Sequence, residues 1–220
     1  MIIASLSSLL APAAAWAVGR KMCADLPALL AGGTRALVSG GWLWTDAGER
    51  ITALPFLLTA ATLIILARLA DPPQLAALSA FLSAIALLAA IDHRHGLLPD
   101  FLVIPLLAGG VAAACLGGAP VTLPVSVAGT AAGWVCARLA QRWLKRRGGA
   151  EFGDGDVKLL AAIGAWLGPI GGYFALTTAF AAFCVALAAR RGREAPTHTG
   201  FGPYLLAGTC LSTLITTGSP

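Results

Sequence analysis

Charged side chains are scarce in this 220-residue chain, which has 15 Lys and Arg and 10 Asp and Glu. Charged residues make up 11% of the sequence and hydrophobic residues 58%, and the mean hydropathy is +0.82. Soluble domains carry about a quarter charged residues, so this composition excludes an ordinary soluble domain. Repeated apolar runs of about 18 residues, the length that crosses a hydrocarbon core, predict an all-α, polytopic membrane helix bundle.

Cysteine pairs of the CxxC type are absent, and the five cysteines lie far apart in the sequence: Cys23, Cys115, Cys136, Cys184 and Cys210. They do not cluster with the three histidines, so the sequence supports neither a zinc site nor a disulfide framework, and we expect no metal and no cofactor. The net charge of +5 does not indicate a nucleic-acid partner. The basic residues stand at the ends of apolar runs, where the topology of a membrane protein already accounts for them.

Apolar runs divide the chain into eight predicted membrane spans. They cover residues 2–19, 51–70, 74–91, 101–116, 120–140, 157–169, 173–189 and 201–217, and the glycine-rich stretch GPIGG breaks the chain between the sixth and the seventh. Residues 1–50 are interpreted as an N-terminal span plus a short cytoplasmic segment, and residues 51–220 as the main membrane domain. Most tryptophans, including Trp134, Trp143 and Trp166, lie near span ends, which is typical of an aromatic belt.

The distribution of Lys and Arg predicts which side of the membrane each loop faces. Short cytoplasmic loops carry an excess of basic residues, and an N-terminus outside the cytoplasm places all of the 15 Lys and Arg except Arg68 on the inner side. Under this topology five acids lie at the cytoplasmic membrane surface and can share one site: Asp92, Asp100, Glu151, Asp154 and Asp156.

Three of these acids stand at the ends of predicted helices, and not all of them fit that position equally well. Asp156 follows the turn-forming stretch Gly153–Gly155 and opens an apolar run, so it fits both a helix N-cap and a site residue. Asp100 also fits an N-cap. Asp92 ends a span instead, and an acid there faces the negative end of the helix dipole, which is unfavourable unless the residue has another role.

A pair of carboxylates from Asp92 and Asp156 would have a specific chemistry. Two carboxylates within a few ångströms do not both ionise freely, so one holds a proton while the other accepts a proton from water. The apparent pKa values then belong to the pair rather than to either residue. Such a pair can activate water against a peptide carbonyl without a metal or a covalent intermediate.

The residues around both acids resemble the signatures of type IV prepilin peptidases. GDGDVKLLAAIGAWLG fits the GxGD pattern with Gly153, Gly155 and Asp156, and IDHRHGLLPDFLVIPLL resembles the second signature, an Asp followed by LPD and an apolar helix. GFGPYLLAG is similar to the FGPF-type segment that opens the last helix of the family. The similarity covers about residues 50–218.

The resemblance implies a GxGD aspartic endopeptidase that removes the short basic leader from type IV pilin-like precursors at the cytoplasmic face of the bacterial inner membrane. The catalytic pair carries over onto Asp92 and Asp156. Asp100 and the preceding Pro99 belong to the LPD motif, where the acid is interpreted as a helix cap or support. Asp154 occupies the variable position of GxGD.

Other polar residues near the pair fit supporting roles as well as ordinary ones. Lys158, two residues after Asp156, either favours the ionised pair or extends to lipid phosphate. His93 and His95 either tune the charge of Asp92 or belong to a solvated loop. The basic end of the fifth span is interpreted as an anchor that attracts anionic membrane lipid.

The sequence also departs from the family. Many prepilin peptidases carry a cytoplasmic insertion after the first span, with paired CxxC motifs that bind zinc, and they methylate the new N-terminus with S-adenosylmethionine. Residues 20–50 are too few for that insertion and contain no CxxC pair. We therefore expect leader cleavage without methylation.

Two other classes of function are open at this point. In a small transporter or channel, the same two aspartates would relay protons or bind a cation. The grouping of the acids at one surface, rather than at the midplane, favours the peptidase. An assembly protein that keeps the fold but has lost cleavage would not need the retained pair.

Overall fold

The computed structural model describes residues 10–20, 54–146, 153–189 and 201–218, and within them all regular structure is helical. The helices are α1 (residues 10–20), α2 (Leu54–Leu66), α3 (Pro72–His95), α4 (Asp100–Cys115), α5 (Leu123–Arg146), α6 (Asp154–Ala189) and α7 (Gly202–Gly218). The prediction of an all-α protein is confirmed for these residues. Most of the predicted cytoplasmic segment, and Glu151, lie outside the described residues.

Among the described residues, three helical stretches are long and apolar enough to cross a membrane, namely Pro72–His95, Leu123–Trp143 and Asp154–Ala186. Helices α2 and α4 are apolar but shorter. The structure therefore agrees with a membrane helix bundle in its coarse form. The number of spans stays a prediction.

The chain reverses direction inside α6, at Gly168. This residue has φ 71° and ψ −178°, a backbone conformation outside the helical region that glycine adopts without a side-chain clash. A Cβ on Gly172 would lie 3.5 Å from the Cα of Gly164, whereas in a straight helix two residues eight positions apart are separated by about 12 Å. We call the half of α6 before Gly168 α6a and the half after it α6b.

The turn between the two halves is shorter than the sequence indicated. GPIGG was expected to break the chain as a loop, but helical structure resumes directly after Gly168. Pro169 takes the first position of α6b, where a missing N–H leaves no helical hydrogen bond unmade. The two halves correspond to the predicted sixth and seventh spans.

Helix α3 is longer than predicted and ends beyond Asp92. It begins after Asp71 with proline in its first turn and ends at Gly96, whose φ of 63° is the left-handed conformation common at helix C-termini. The N–H of Gly96 donates to the carbonyl oxygen of Asp92 at 2.8 Å. Asp92 therefore lies within the last turn of α3 rather than after its end.

The core of the bundle contains side chains of several helices, among them α3, α4 and α6a. Phe81 of α3 is fully buried, and its ring stacks on that of Trp166, with 4.8 Å between the ring centroids. The indole Nε1 of Trp166 donates to the carbonyl oxygen of Leu106 in α4 at 2.8 Å. Trp166 is thus a buried core residue, and the prediction that it belongs to an aromatic belt is wrong. Trp134 and Trp143 are exposed.

Helix α5 crosses α6a at very close range. A Cβ on Gly129 would overlap the carbonyl oxygen of Gly164, so the two backbones approach each other through glycine. Ser126 strengthens this crossing by donating to the carbonyl oxygen of Ala165 at 2.6 Å. Small residues and interhelical hydrogen bonds of this kind are characteristic of helix packing in membranes. The crossing brings the C-terminal part of α5 beside the start of α6a.

Candidate active site

Five helix ends meet at one end of the bundle: the C-terminal ends of α3 and α5 and the N-terminal ends of α4, α6 and α7. Three contacts join them, and these are the backbone N–H of Gly202 with Asp92, Lys158 with Asp100, and Arg138 with Asp154. The four described acids of the predicted site lie together as a result. Each has a different environment.

Asp92 is a buried carboxylate with a partner on another helix. Its side chain is 7% exposed, and its Oδ2 accepts a hydrogen bond of 2.7 Å from the backbone N–H of Gly202, the first residue of α7. The N-terminus of a helix favours negative charge, so α7 offsets the unfavourable position of Asp92 at the C-terminus of α3. His93 interacts electrostatically with the same carboxylate.

Asp156 lies in the first turn of α6 and is half-buried. Its Oδ2 accepts the N–H of Gly153 at 3.2 Å, three residues earlier, as the third helical residue does in a capping box. Of the two roles that the sequence left open for Asp156, a helix N-cap and a site residue, the N-cap is not observed, because Asp156 stands three residues after Gly153, which precedes the helix. The side chain of Asp156 therefore accepts a hydrogen bond from the residue that precedes the helix.

Asp92 of α3 and Asp156 of α6 interact electrostatically with each other. Asp92 is buried, whereas Asp156 is partly accessible to solvent. The pair thus stands at the boundary between the helix core and the surface.

Gly155, the second glycine of GxGD, contacts the loop that leads from α3 to α4. A Cβ on this residue would lie 2.7 Å from the Cβ of Leu98, so a larger residue would push α6 away from this loop. Pro99 is buried in the same loop, and its carbonyl oxygen accepts the N–H groups of Leu102 and Val103. The two sequence signatures therefore touch each other directly.

Lys158 forms an ion pair with Asp100 that joins α6 to α4. Its Nζ donates to both carboxylate oxygens, at 2.6 and 2.7 Å. Asp100 is the first residue of α4, but the N-cap position belongs to Pro99 and no side-chain cap bond is formed. Of the two roles predicted for Asp100, helix cap and support, no cap bond is observed, and the ion pair with Lys158 joins α4 to α6.

Asp154 is largely exposed and is held by α5. Its Oδ1 accepts hydrogen bonds from Arg138 at 2.6 Å and from the side-chain amide of Gln141 at 3.1 Å. Arg138 also donates to the Oε1 of Gln141 at 2.9 Å, so the three side chains form one network. This network fixes the start of α6 against α5.

Sequence reasoning missed three residues of this region: Gly202, Arg138 and Gln141. Gly202 was visible within GFGPYLLAG, although nothing in the motif indicated which residue it would contact. Arg138 was grouped with the basic anchor of the fifth span. Gln141 is almost fully buried in α5, and no sequence signal marked it.

No group of three His, Cys, Asp or Glu side chains lies close enough together to hold a metal ion in the part of the chain that the structure describes. The arrangement that is present consists of one pair of interacting carboxyl groups, each bonded to a backbone N–H, with two ion pairs beside it. These groups can hold and move protons.

These features define an integral membrane helical protein with a pair of aspartates at one end of its bundle. The sequence model of the type IV leader peptidase family matches residues 78–189, just over half of the 220-residue chain. The chain therefore belongs to the type IV leader peptidase family. The matched region includes both Asp92 and Asp156.

Individual relatives agree with this family. A prepilin leader peptidase/N-methyltransferase of Burkholderia pseudomallei strain 1026b is 43% identical over 148 residues, which cover 62% of this chain and 46% of the relative. Proteins of the same name from Dickeya chrysanthemi and Aeromonas hydrophila are 44% identical over 107 residues and 40% identical over 121 residues. Those matches cover 47% and 52% of this chain, and 38% and 41% of the relatives. The chain thus matches less than half the length of each relative. No solved structure matches the chain.

Proposed function

We propose that this protein is a membrane aspartic endopeptidase that cleaves the basic leader peptide from type IV pilin-like precursors. The observation that carries the proposal is the electrostatic interaction between Asp92 and Asp156 in a chain of the leader peptidase family. Relatives named as prepilin leader peptidases support the same reaction and the same class of substrate.

The chemistry follows from the mutual repulsion of two carboxylates. The pair is most stable with a single proton, so that one carboxylate accepts a proton from water while the other donates to the carbonyl oxygen of the scissile peptide. The water oxygen forms a bond to the carbonyl carbon, and the C–N bond then breaks as the leaving amine takes up a proton. One water is consumed, and the pair returns to its singly protonated state.

The site faces the cytoplasm in this proposal, with eight spans and both termini outside the cytoplasm. Support comes from the basic residues at the same helix ends as the aspartates, among them Arg94, Arg142 and Lys145. Short cytoplasmic segments carry such an excess. The same residues would attract the anionic headgroups of membrane lipid at this surface.

A transporter or channel that uses the same aspartates has no support from the comparisons with known proteins. The described acids of the site also lie at helix ends rather than midway along the helices. This placement suits a protease that receives a substrate segment from the aqueous side.

The decisive experiment is a cleavage assay with the full chain in membranes or in detergent. A pilin-like precursor with its basic leader is incubated with the protein, and the product is analysed by mass spectrometry. We expect a single cut that releases the leader, and no cut with the double variant Asp92→Asn/Asp156→Asn. An intact precursor with folded wild-type protein would contradict the proposal, and proton flux in proteoliposomes would then favour the transporter.

A further inference from the structure

Each carboxylate of the pair accepts one backbone N–H from a glycine at the start of a helix. The N–H of Gly202 donates to Asp92 at 2.7 Å in a buried setting, and that of Gly153 donates to Asp156 at 3.2 Å in an exposed one. Because the first bond is shorter and shielded from water, it is the stronger of the two. The two carboxylates are therefore not equivalent.

The first turn of α7 directs a single backbone donor at Asp92. Pro203 has no N–H, and the N–H of Tyr204 bonds to the carbonyl oxygen of Phe201 at 3.1 Å. The N–H of Gly202 thus has Asp92 as its partner, and a buried donor of this kind loses free energy when it is left without one.

Glycine at position 202 is what allows this approach. A Cβ there would lie 2.8 Å from Oδ2 of Asp92 and 3.1 Å from the Cα of Ala89. The second contact is with backbone, which cannot rotate away as a side chain can. Any larger residue would therefore move the start of α7 away from α3 and lengthen the bond to Asp92.

The surroundings of Asp92 decide where the negative charge of the pair lies. Burial alone disfavours a charge on Asp92. Opposing this effect are the Gly202 N–H, the N-terminus of α7 and the neighbouring His93, while Asp156 of α6 faces it as the repelling acid. The hydrogen bond from Gly202 is the direct contact among these.

We propose that Gly202 is a positioning residue whose N–H keeps the negative charge of the pair on Asp92, so that Asp92 accepts the proton from water and Asp156 holds the proton of the pair. This assignment of roles rests on the proposed peptidase function. Under this proposal the start of α7 has a role in the reaction, namely to stabilise the charge on Asp92.

The sequence offers a direct spectroscopic test of this inference. Only two glycines in the chain follow a phenylalanine, and they are Gly153 and Gly202. Labelling with carbonyl-¹³C phenylalanine and ¹⁵N glycine therefore selects, by NMR of the full chain in detergent, the two N–H groups that donate to the pair. Gly153→Ala assigns the signals, because Gly153 is exposed and its loss leaves only Gly202.

Acid titration of the two signals then reports the order of protonation. We expect the larger shift of the Gly153 signal in the first step as the pH falls and that of the Gly202 signal in the second. Asp92→Asn should move the Gly202 signal at constant pH. The inference would be overturned by the reverse order of protonation, or by a Gly202 chemical shift that is the same in Asp92→Asn as in the wild type. This test does not depend on cleavage, so it separates the inference from the proposed function.

Kinetics of Gly202→Ala supply the second test. Loss of a hydrogen bond to a charged group corresponds to a fall in kcat of about 10- to 100-fold, with KM little changed, and the acidic limb of the pH–rate profile should move to higher pH. Gly208→Ala is the matched control, because Gly208 lies on the same helix but packs on Ala175 of α6b. Both variants lose some stability, and only Gly202→Ala should shift the profile. A Gly202→Ala profile identical to that of the wild type would reduce Gly202 to a packing role.

Discussion

Asp154 and Asp156 lie two residues apart in the first turn of α6 and have entirely different partners. Asp154 is bonded to Arg138 and Gln141 of α5, whereas Asp156 interacts with Asp92 and accepts the N–H of Gly153. One acid is neutralised by a guanidinium group, and the other faces a second acid. The same glycine-rich turn therefore presents two carboxylates in different electrostatic environments.

This difference predicts opposite outcomes for matched substitutions in α6. Asp156→Asn should lower cleavage by at least about 100-fold, the usual order for a lost acid–base group, because the pair can no longer exchange a proton with water. Asp154→Asn should keep at least part of the activity. Cleavage rates on equal amounts of folded protein check both, and an inactive Asp154→Asn would contradict the assignment.

The matching comparison outside α6 is between Asp92 and Asp100. Asp92→Asn removes the other member of the pair and should abolish cleavage while the protein stays inserted in the membrane. Asp100→Asn removes only the ion-pair partner of Lys158 and should retain activity. If Asp92→Asn cleaves at the normal rate and Asp100→Asn is inactive, Asp100 rather than Asp92 is the member of the pair.

The Lys158–Asp100 ion pair should be a modest support for the site. Both side chains are partly exposed, and such surface pairs contribute about 0–1 kcal/mol to the free energy of unfolding. We expect Lys158→Ala to lower the cleavage rate only a few-fold. The exchanged pair Lys158→Asp/Asp100→Lys should recover activity relative to Lys158→Asp alone. If the double variant recovers nothing, Lys158 acts on something other than Asp100.

Gly168 should be necessary for the reversal between α6a and α6b. A residue with a Cβ at φ 71° and ψ −178° lies in a region that is essentially restricted to glycine and is strained by about 1–3 kcal/mol, and the added Cβ would also lie 2.8 Å from the Cγ1 of Val125. Gly168→Ala should therefore lower the melting temperature in detergent. Gly218→Ala is the control, since its nearest contact is Leu69 at 3.9 Å. Equal melting temperatures for the two variants would contradict the role of Gly168.

Hydropathy and helix-stop residues predict much of this fold because each helix follows from local sequence. The proline start and glycine end of α3 and the apolar run of α6a are examples. Trp166 shows where such reasoning fails, since its position near a span end gave no hint of its stacking on Phe81. Burial of a residue against another helix depends on contacts distant in the sequence.

The candidate site shows the same division. The spacing of GxGD and LPD indicated which acids to consider, yet the partner of each acid depends on how five helix ends converge. Local pattern placed both Asp100 and Asp156 at helix caps, and the structure instead gives one an ion pair across α4 and α6 and the other a capping-box bond. Gly202 lies 110 residues from Asp92 in the sequence, so no local pattern could indicate their hydrogen bond.

The eight-span topology predicts the side of the membrane on which three positions lie. With both termini outside the cytoplasm, a cysteine introduced near Pro72 or Pro220 should react with an impermeant reagent from outside. A cysteine near Gly148 should react only after permeabilisation. Labelling is compared with a variant that lacks the native cysteines. Reaction of the Gly148 and Pro220 positions from the same side would require a different number of spans.

We also predict that the leader is removed without methylation of the new N-terminus. Relatives are named for both activities, but this chain has no CxxC pair between Arg20 and Arg50. A cofactor as large as S-adenosylmethionine requires a concave pocket of about 300–1,000 Å³. A segment of about thirty residues without a structural zinc ion seldom forms one.

The test incubates the purified full chain with precursor and isotopically labelled S-adenosylmethionine, and a B. pseudomallei relative serves as the positive control. We expect a correctly cut product that carries no label and a protein that contains no stoichiometric zinc. A labelled, methylated N-terminus would show instead that the membrane bundle and this short segment suffice for methyl transfer.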